Sequence, residues 1–239
     1  MKRIVFLVIR LLYRIPGWLL KIRYYNKHIN ETSFEERYDF FYRLIHKINQ
    51  KSRVRIHCYG QENIPSEQGF LITANHQGLF DPLILIETLN QPFKAVLKQE
   101  LTEVFVLKDV IRMMEFQAMD RSNLRSSMKV IKQASKEMEA GRNYLIFPEG
   151  TRCRQKNEML EFKGGSFKCA IDAKKPILPV ALIDCYKVFD NNTIAPVDAQ
   201  IHYLKPISYD EYKDMSSTEI GNLVQERIRS CIQENENRF

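Results

Sequence analysis

Between residues 54 and 183, short apolar runs alternate with longer stretches of helical periodicity, and that alternation limits what the chain can fold into. The runs 70–74, 93–98, 116–119, 144–147 and 177–183 are too short for helices and end in turn signals, so they read as strands. In 54–58, Val54, Ile56 and Cys58 alternate with Arg55 and His57, the pattern of a half-exposed edge strand. Helices are expected over 82–89, 123–140 and 166–173, with a further helical stretch from about residue 100 and Gly141 as a stop. A strand at 200–204 and a last helix opened by Ser216 and Glu219 follow, the helix turning Ile220, Leu223, Val224, Ile228 and Cys231 inward. Strand–helix–strand returns set neighbouring strands parallel with helices on the faces. The expected fold is α/β: one domain over 51–239 with a mixed, largely parallel sheet flanked by helices.

An N-terminal amphipathic helical segment, residues 1–50, is expected to precede it. Ser33 and Glu36 form a capping box, and Phe34, Tyr38, Phe41, Ile45 and Ile48 recur on one helical face, a stripe that suits packing better than ligand binding. Residues 2–25 carry two short apolar runs interleaved with Lys2, Arg3, Arg10, Arg14, Lys21 and Arg23, with Pro16-Gly17 as the expected break between them. No stretch reaches the ~20 apolar residues a spanning helix needs. No small-residue cleavage site follows the first run, so a cleaved signal peptide is not expected. The two runs are expected to lie in a membrane interface with Trp18 at headgroup level, the alternative being that they pack on the protein's own domain.

The stretch Asn75-His76-Gln77-Gly78-Leu79-Phe80-Asp81 stands at a strand end, and Asp81-Pro82 reads as a helix start with Asp81 as N-cap. A carboxylate beside an imidazole fixes its tautomer and stabilises its protonated form, which makes His76 a candidate general base. These seven residues alone fit a capped turn with an incidental histidine equally well. A second stretch, Phe147-Pro148-Glu149-Gly150-Thr151-Arg152, also follows an apolar strand. Both fall just after strand ends, where sheets of this class place their sites.

Together, the His-x-x-x-x-Asp spacing and Phe-Pro-Glu-Gly-Thr-Arg resemble the glycerolipid acyltransferases, in particular those that acylate 1-acylglycerol 3-phosphate. Two further blocks fit: 114–121, ending in Asp120-Arg121, and the proline-bearing strand Ile177-Leu178-Pro179-Val180-Ala181. The resemblance spans about residues 54 to 185. It implies transfer of a fatty acyl group from acyl-CoA or acyl carrier protein to the sn-2 hydroxyl, with His76 as base and Asp81 orienting it. It further implies Arg152, Lys98 and Arg121 as phosphate-binding cations. Glu149, with Gly150 and Thr151, would contact the glycerol or shape the loop. Cys153 stands where family members commonly have serine. Sister readings change the acceptor to glycerol 3-phosphate or another lysophospholipid, or leave a non-catalytic basic membrane-binding protein.

The net charge of +7 suits a nucleic acid, an anionic lipid surface or a phosphorylated substrate. No helix-turn-helix, zinc-finger or RNA-recognition signature supports the first. The histidines at 28, 46, 57, 76 and 202 offer no local metal pair, and neither metal nor bound cofactor is expected. Five cysteines without a Cys-x-x-Cys pair suit reduced thiols rather than a disulfide framework. The expected setting is peripheral, on the cytoplasmic face of a membrane.

Overall fold

The computed structural model describes residues 2–239. Three helices come first: α1 (Lys2–Leu11), α2 (Ile15–Lys27) and α3 (Phe34–Lys51). The sheet-bearing part begins with β1 (Val54–Tyr59), β2 (Leu71–Ala74), α4 (Asp81–Thr88), β3 (Phe93–Lys98), α5 (Leu107–Met113) and β4 (Gln117–Met119). It continues with α6 (Leu124–Glu139), β5 (Asn143–Ile146), α7 (Lys168–Ala173), β6 (Ile177–Ile183) and α8 (Tyr186–Phe189). β7 (Val197–Tyr203), α9 (Tyr209–Tyr212) and α10 (Ser217–Asn235) close it.

The strands form one 7-stranded sheet in the order β1-β7-β6-β2-β5-β3-β4. From β6 to β4 every pairing is parallel; β7 is antiparallel to β6 and carries β1 with it in parallel. The mixed, largely parallel α/β sheet expected from the alternation is therefore present. β1 lies at an edge, as its half-polar pattern requires. β7 starts three residues before the expected 200, because Val197, Asp198 and Ala199 find partners in Val54, Arg55 and Ile56 across the sheet.

Alternate strand residues feed two cores. Ile72, Ala74, Leu178, Val180 and Leu182 pack with α2, α3 and α4 on one face. Leu71, Ile146, Ile177, Ala181 and Ile183 pack with α6, α7 and α10 on the other. The aromatic stripe of α3, Phe34, Tyr38 and Phe41, lies within the first core, so it packs rather than binds.

Three local expectations are corrected. The break between α1 and α2 falls at residues 12–14, and Pro16-Gly17 lies in the first turn of α2, where a missing N–H costs nothing. Asp81 is not an N-cap. Phe80 holds that position with helical backbone angles, and Asp81 is the first residue of α4 with its carboxylate turned back toward 76–78. The Ser33 cap is half of the expected box: its hydroxyl accepts from Glu36 N, while the Glu36 carboxylate takes the Tyr25 hydroxyl instead.

No helix among the described residues is long and apolar enough to cross a membrane. Leu7, Leu11, Ile22 and Tyr25 turn inward, and Trp18 packs half-buried against the first core instead of facing outward. Val5, Val8, Ile9, Leu12, Tyr13 and Leu20 remain exposed. Arg3 is fully buried and pins α1 to the domain, donating to the Ser52 and Ala195 carbonyls at 2.6 Å each.

Candidate active site

β2 and β5 are adjacent and parallel, with Thr73 opposite Ile146, so the segments after them leave the sheet side by side at one edge. The first delivers His76, the second Phe147 and Glu149. β3 and β4 end at the same edge, bringing Lys98 as the last residue of β3 and Arg121 just after β4. Sheet order thus gathers four stretches that lie far apart in the chain.

His76 Nδ1 lies 2.7 Å from Asp81 Oδ2. The same oxygen accepts from Gln77 N at 2.6 Å and Gly78 N at 2.9 Å. Asp81 is completely buried, and its Oδ1 has no partner. A carboxylate held this way accepts a hydrogen bond from Nδ1–H, so Nε2 is the nitrogen left to accept a proton, as a base requires. No group among the described residues bonds Nε2, and the ring is partly open to solvent. Its flat face stacks on Phe147 at 4.1 Å between centroids and 18° between planes, which fixes its orientation from the second segment.

Glu149 joins the two segments. Its Oε1 accepts from His76 N at 2.6 Å and its Oε2 from Leu160 N at 2.9 Å. Burial pushes its carboxyl up to about 7, against the lowering effect of those two N–H donors and helped by the nearby Asp81 charge. Both oxygens are occupied by backbone donors, which ties the segment after β2 to residues 149–160. Cys153 N adds a second tie, donating to the His76 carbonyl at 2.8 Å, and its side chain is buried. Gly150 has φ +76, a left-handed turn that favours glycine.

The phosphate candidates differ in surroundings. Arg152 is half-buried and forms no hydrogen bond or ion pair among the described residues. Arg121 is exposed beside Gly150, with Nη1 3.6 Å from where a methyl on that glycine would stand. Lys98 is exposed and ion-paired with Glu100 at 2.6 Å. Thr151 is exposed and makes no hydrogen bond among the described residues.

Sequence reasoning missed the group that holds position 77. Gln77 donates to Asn157 Oδ1 at 2.9 Å and accepts from Cys185 N at 2.9 Å, and Asn157 in turn contacts Asp184. It also missed Lys163, which reaches over Gly150. The basic residue before the pair Gly164-Gly165 was the available signal. Two cavities flank the site. A groove of about 950 Å³ runs from Phe147, Pro148 and Gly150 along Met119, Met128 and Ile171. A smaller one of about 420 Å³ is lined by Leu79, Cys153, Arg154 and, from α1, Ile4.

The buried Asp81 carboxylate and the partly exposed His76 ring stand at the carboxyl edge of the parallel strands, with an apolar groove and exposed cations nearby; a histidine held this way can accept a proton from a hydroxyl. The acyltransferase family model matches residues 55–183, and the chain belongs to that family. It is 31% identical over 177 residues to the 1-acyl-sn-glycerol-3-phosphate acyltransferase of Borreliella burgdorferi, covering 73% of this chain and 70% of that one. With the probable 1-acyl-sn-glycerol-3-phosphate acyltransferase of Mycoplasma pneumoniae it shares 30% identity over 154 residues, 62% of this chain and 57% of the relative. The fold matches the crystal structure of the 1-acyl-sn-glycerophosphate (LPA) acyltransferase PlsC from Thermotoga maritima, at TM-score 0.75 and 20% identity over 100% of this chain and 99% of that one.

Proposed function

We propose that the protein transfers a fatty acyl group from a thioester to the sn-2 hydroxyl of 1-acylglycerol 3-phosphate, giving phosphatidic acid. The observation that carries this reading is the 2.7 Å contact between His76 Nδ1 and the buried Asp81 carboxylate, with Nε2 unbonded and the ring stacked on Phe147, which lines an apolar groove. His76 Nε2 takes the proton of the acceptor hydroxyl as the oxygen attacks the thioester carbonyl. Asp81 stabilises the imidazolium that forms. A positioned base of this kind is worth ~10²–10⁴-fold in rate. The thiol leaves without strong acid assistance, since its pKa is about 8.5. Arg152 and Arg121 supply cations for the acceptor phosphate, with Lys98 a weaker contributor while Glu100 holds it. The donor is an acyl-CoA or an acylated carrier protein.

The lipid substrate places the working enzyme at a membrane surface. The exposed apolar side chains of α1 and α2 form its contact, flanked by Lys2, Arg10, Arg14, Lys21 and Arg23 for anionic headgroups. The setting is the cytoplasmic face, with the protein bound peripherally.

Release of free thiol from acyl-CoA, with and without lysophosphatidic acid, tests the reading. Thiol release should depend on the acceptor and vanish in His76→Ala. Acceptor-independent release would mean a thioesterase, and full activity with glycerol 3-phosphate alone would move the acceptor.

A further inference from the structure

Lys163 is held as a binding residue would be. Its backbone N–H donates to the Pro148 carbonyl at 3.0 Å. The preceding Phe162 N–H bonds Gln225 Oε1 at 3.1 Å. The following Gly164 packs so closely on the Ser217 backbone that a methyl there would stand 2.9 Å from it. The main chain is thus fixed on both sides, while the side chain stays exposed and crosses Gly150. A methyl group on Gly150 would lie 3.2 Å from Lys163 Nζ and 3.6 Å from Arg121 Nη1. Two cations therefore flank one point above the second loop.

Neither forms an ion pair with an acid among the described residues, whereas Lys98 has Glu100 and Lys187 has Asp184; the Glu100 charge acts on Arg121 as well, but Lys163 is left without an acid partner. Like charges at this range repel, so holding both there favours a ligand that carries the missing negative charge. The point they flank is one residue from Glu149, whose carboxylate bonds His76 N at 2.6 Å. A phosphomonoester suits the place, since it is close to a dianion at neutral pH and has oxygens to share between two donors.

We propose that Lys163 is a further residue binding the acceptor's phosphomonoester, closing over Gly150 opposite Arg121. The proposal rests on the reading of the chain as a lysophosphatidate acyltransferase. The phosphate does not react, so the contact is equal in ground and transition states and its loss appears in KM, not kcat.

The test is full kinetics of the purified chain with lysophosphatidic acid and acyl-CoA, each varied in turn. Lys163→Gln should raise KM for lysophosphatidic acid about tenfold, the lower end for a hydrogen bond to a charged group at an exposed position. Its kcat should stay within about threefold. Lys163→Arg should recover most of the loss, and Lys213→Gln, on the exposed surface, should change neither constant. A rise in KM for acyl-CoA instead would assign the cations to the donor's phosphates and overturn the proposal. So would unchanged constants, or a kcat loss that Lys163→Arg does not repair. If wild type fails to acylate lysophosphatidic acid at all, the functional reading is what fails. Binding of radiolabelled lysophosphatidic acid to wild type and Lys163→Gln then judges the site, and equal retention would overturn it.

Discussion

Replacing Asp81 with asparagine isolates the charge of the pair from its shape. Oδ2 accepts three hydrogen bonds, from His76 Nδ1, Gln77 N and Gly78 N, while Oδ1 is buried without a partner. An asparagine has one oxygen to offer, and facing an amide NH2 toward those three donors would be repulsive. The oxygen therefore stays at the Oδ2 position and the NH2 takes the Oδ1 position, where it is a buried donor with no acceptor. That orphan costs about 1–3 kcal/mol of stability, partly offset because a buried charge is gone. His76 keeps its tautomer but loses the carboxylate that stabilises its protonated form. The transfer rate should fall by at least ~10²-fold. The assay is acceptor-dependent thiol release at saturating substrates, alongside denaturant unfolding of both proteins. A variant within tenfold of wild type, folded to the same extent, would refute the assignment of Asp81 as the electrostatic partner of the base.

Arg152→Ala should weaken use of lysophosphatidic acid by orders of magnitude and Lys98→Ala by less, because Glu100 already satisfies Lys98; a phosphate-free acceptor equally damaged by both would mean that they hold the fold. Glu149 keeps its proton up to about pH 7 when folded but only to about 4.5 when unfolded, so between those values the native state binds more protons and its contribution to stability falls as pH rises. Denaturant midpoints should therefore decline less steeply with pH in Glu149→Gln than in wild type over that window, and parallel curves would remove the buried carboxyl as the cause. Ile9→Glu together with Leu12→Glu should reduce sedimentation with anionic vesicles while leaving the thermal midpoint unchanged, since both side chains are exposed. Retained sedimentation would place the lipid contact elsewhere on the surface. Deleting residues 2–25 is the poorer test, because it removes the buried Arg3, Ile22 and Tyr25.

What the sequence made legible was whatever local pattern encodes. The strand runs, the helix stops and the spacing from His76 to Asp81 are all set within a few residues, and each appears in the fold. Glu149 was legible as part of a motif but its partners were not, since His76 lies 73 residues away and is brought close only by the pairing of β2 with β5. The antiparallel entry of β7 and the burial of Arg3 were hidden for the same reason: strand order and long-range carbonyl partners leave no periodicity behind. Asp81 was misread because its residue type suits an N-cap, and the tighter demand of the histidine decided where its carboxylate points. Lys163 was passed over because a lone lysine in a loop looks like any solvated charge until its neighbour across the loop is known.

The pairing of Thr73 with Ile146 has a consequence for how the enzyme works. The proposed base, the ring stacked on it and the carboxylate bridging the two segments all stand in the stretches that leave these paired strands. The geometry proposed for catalysis is therefore carried by the folded ladder and the segments that leave it. On the proposed reading, productive encounters depend on how a lipid is delivered and held against groups the fold has already positioned.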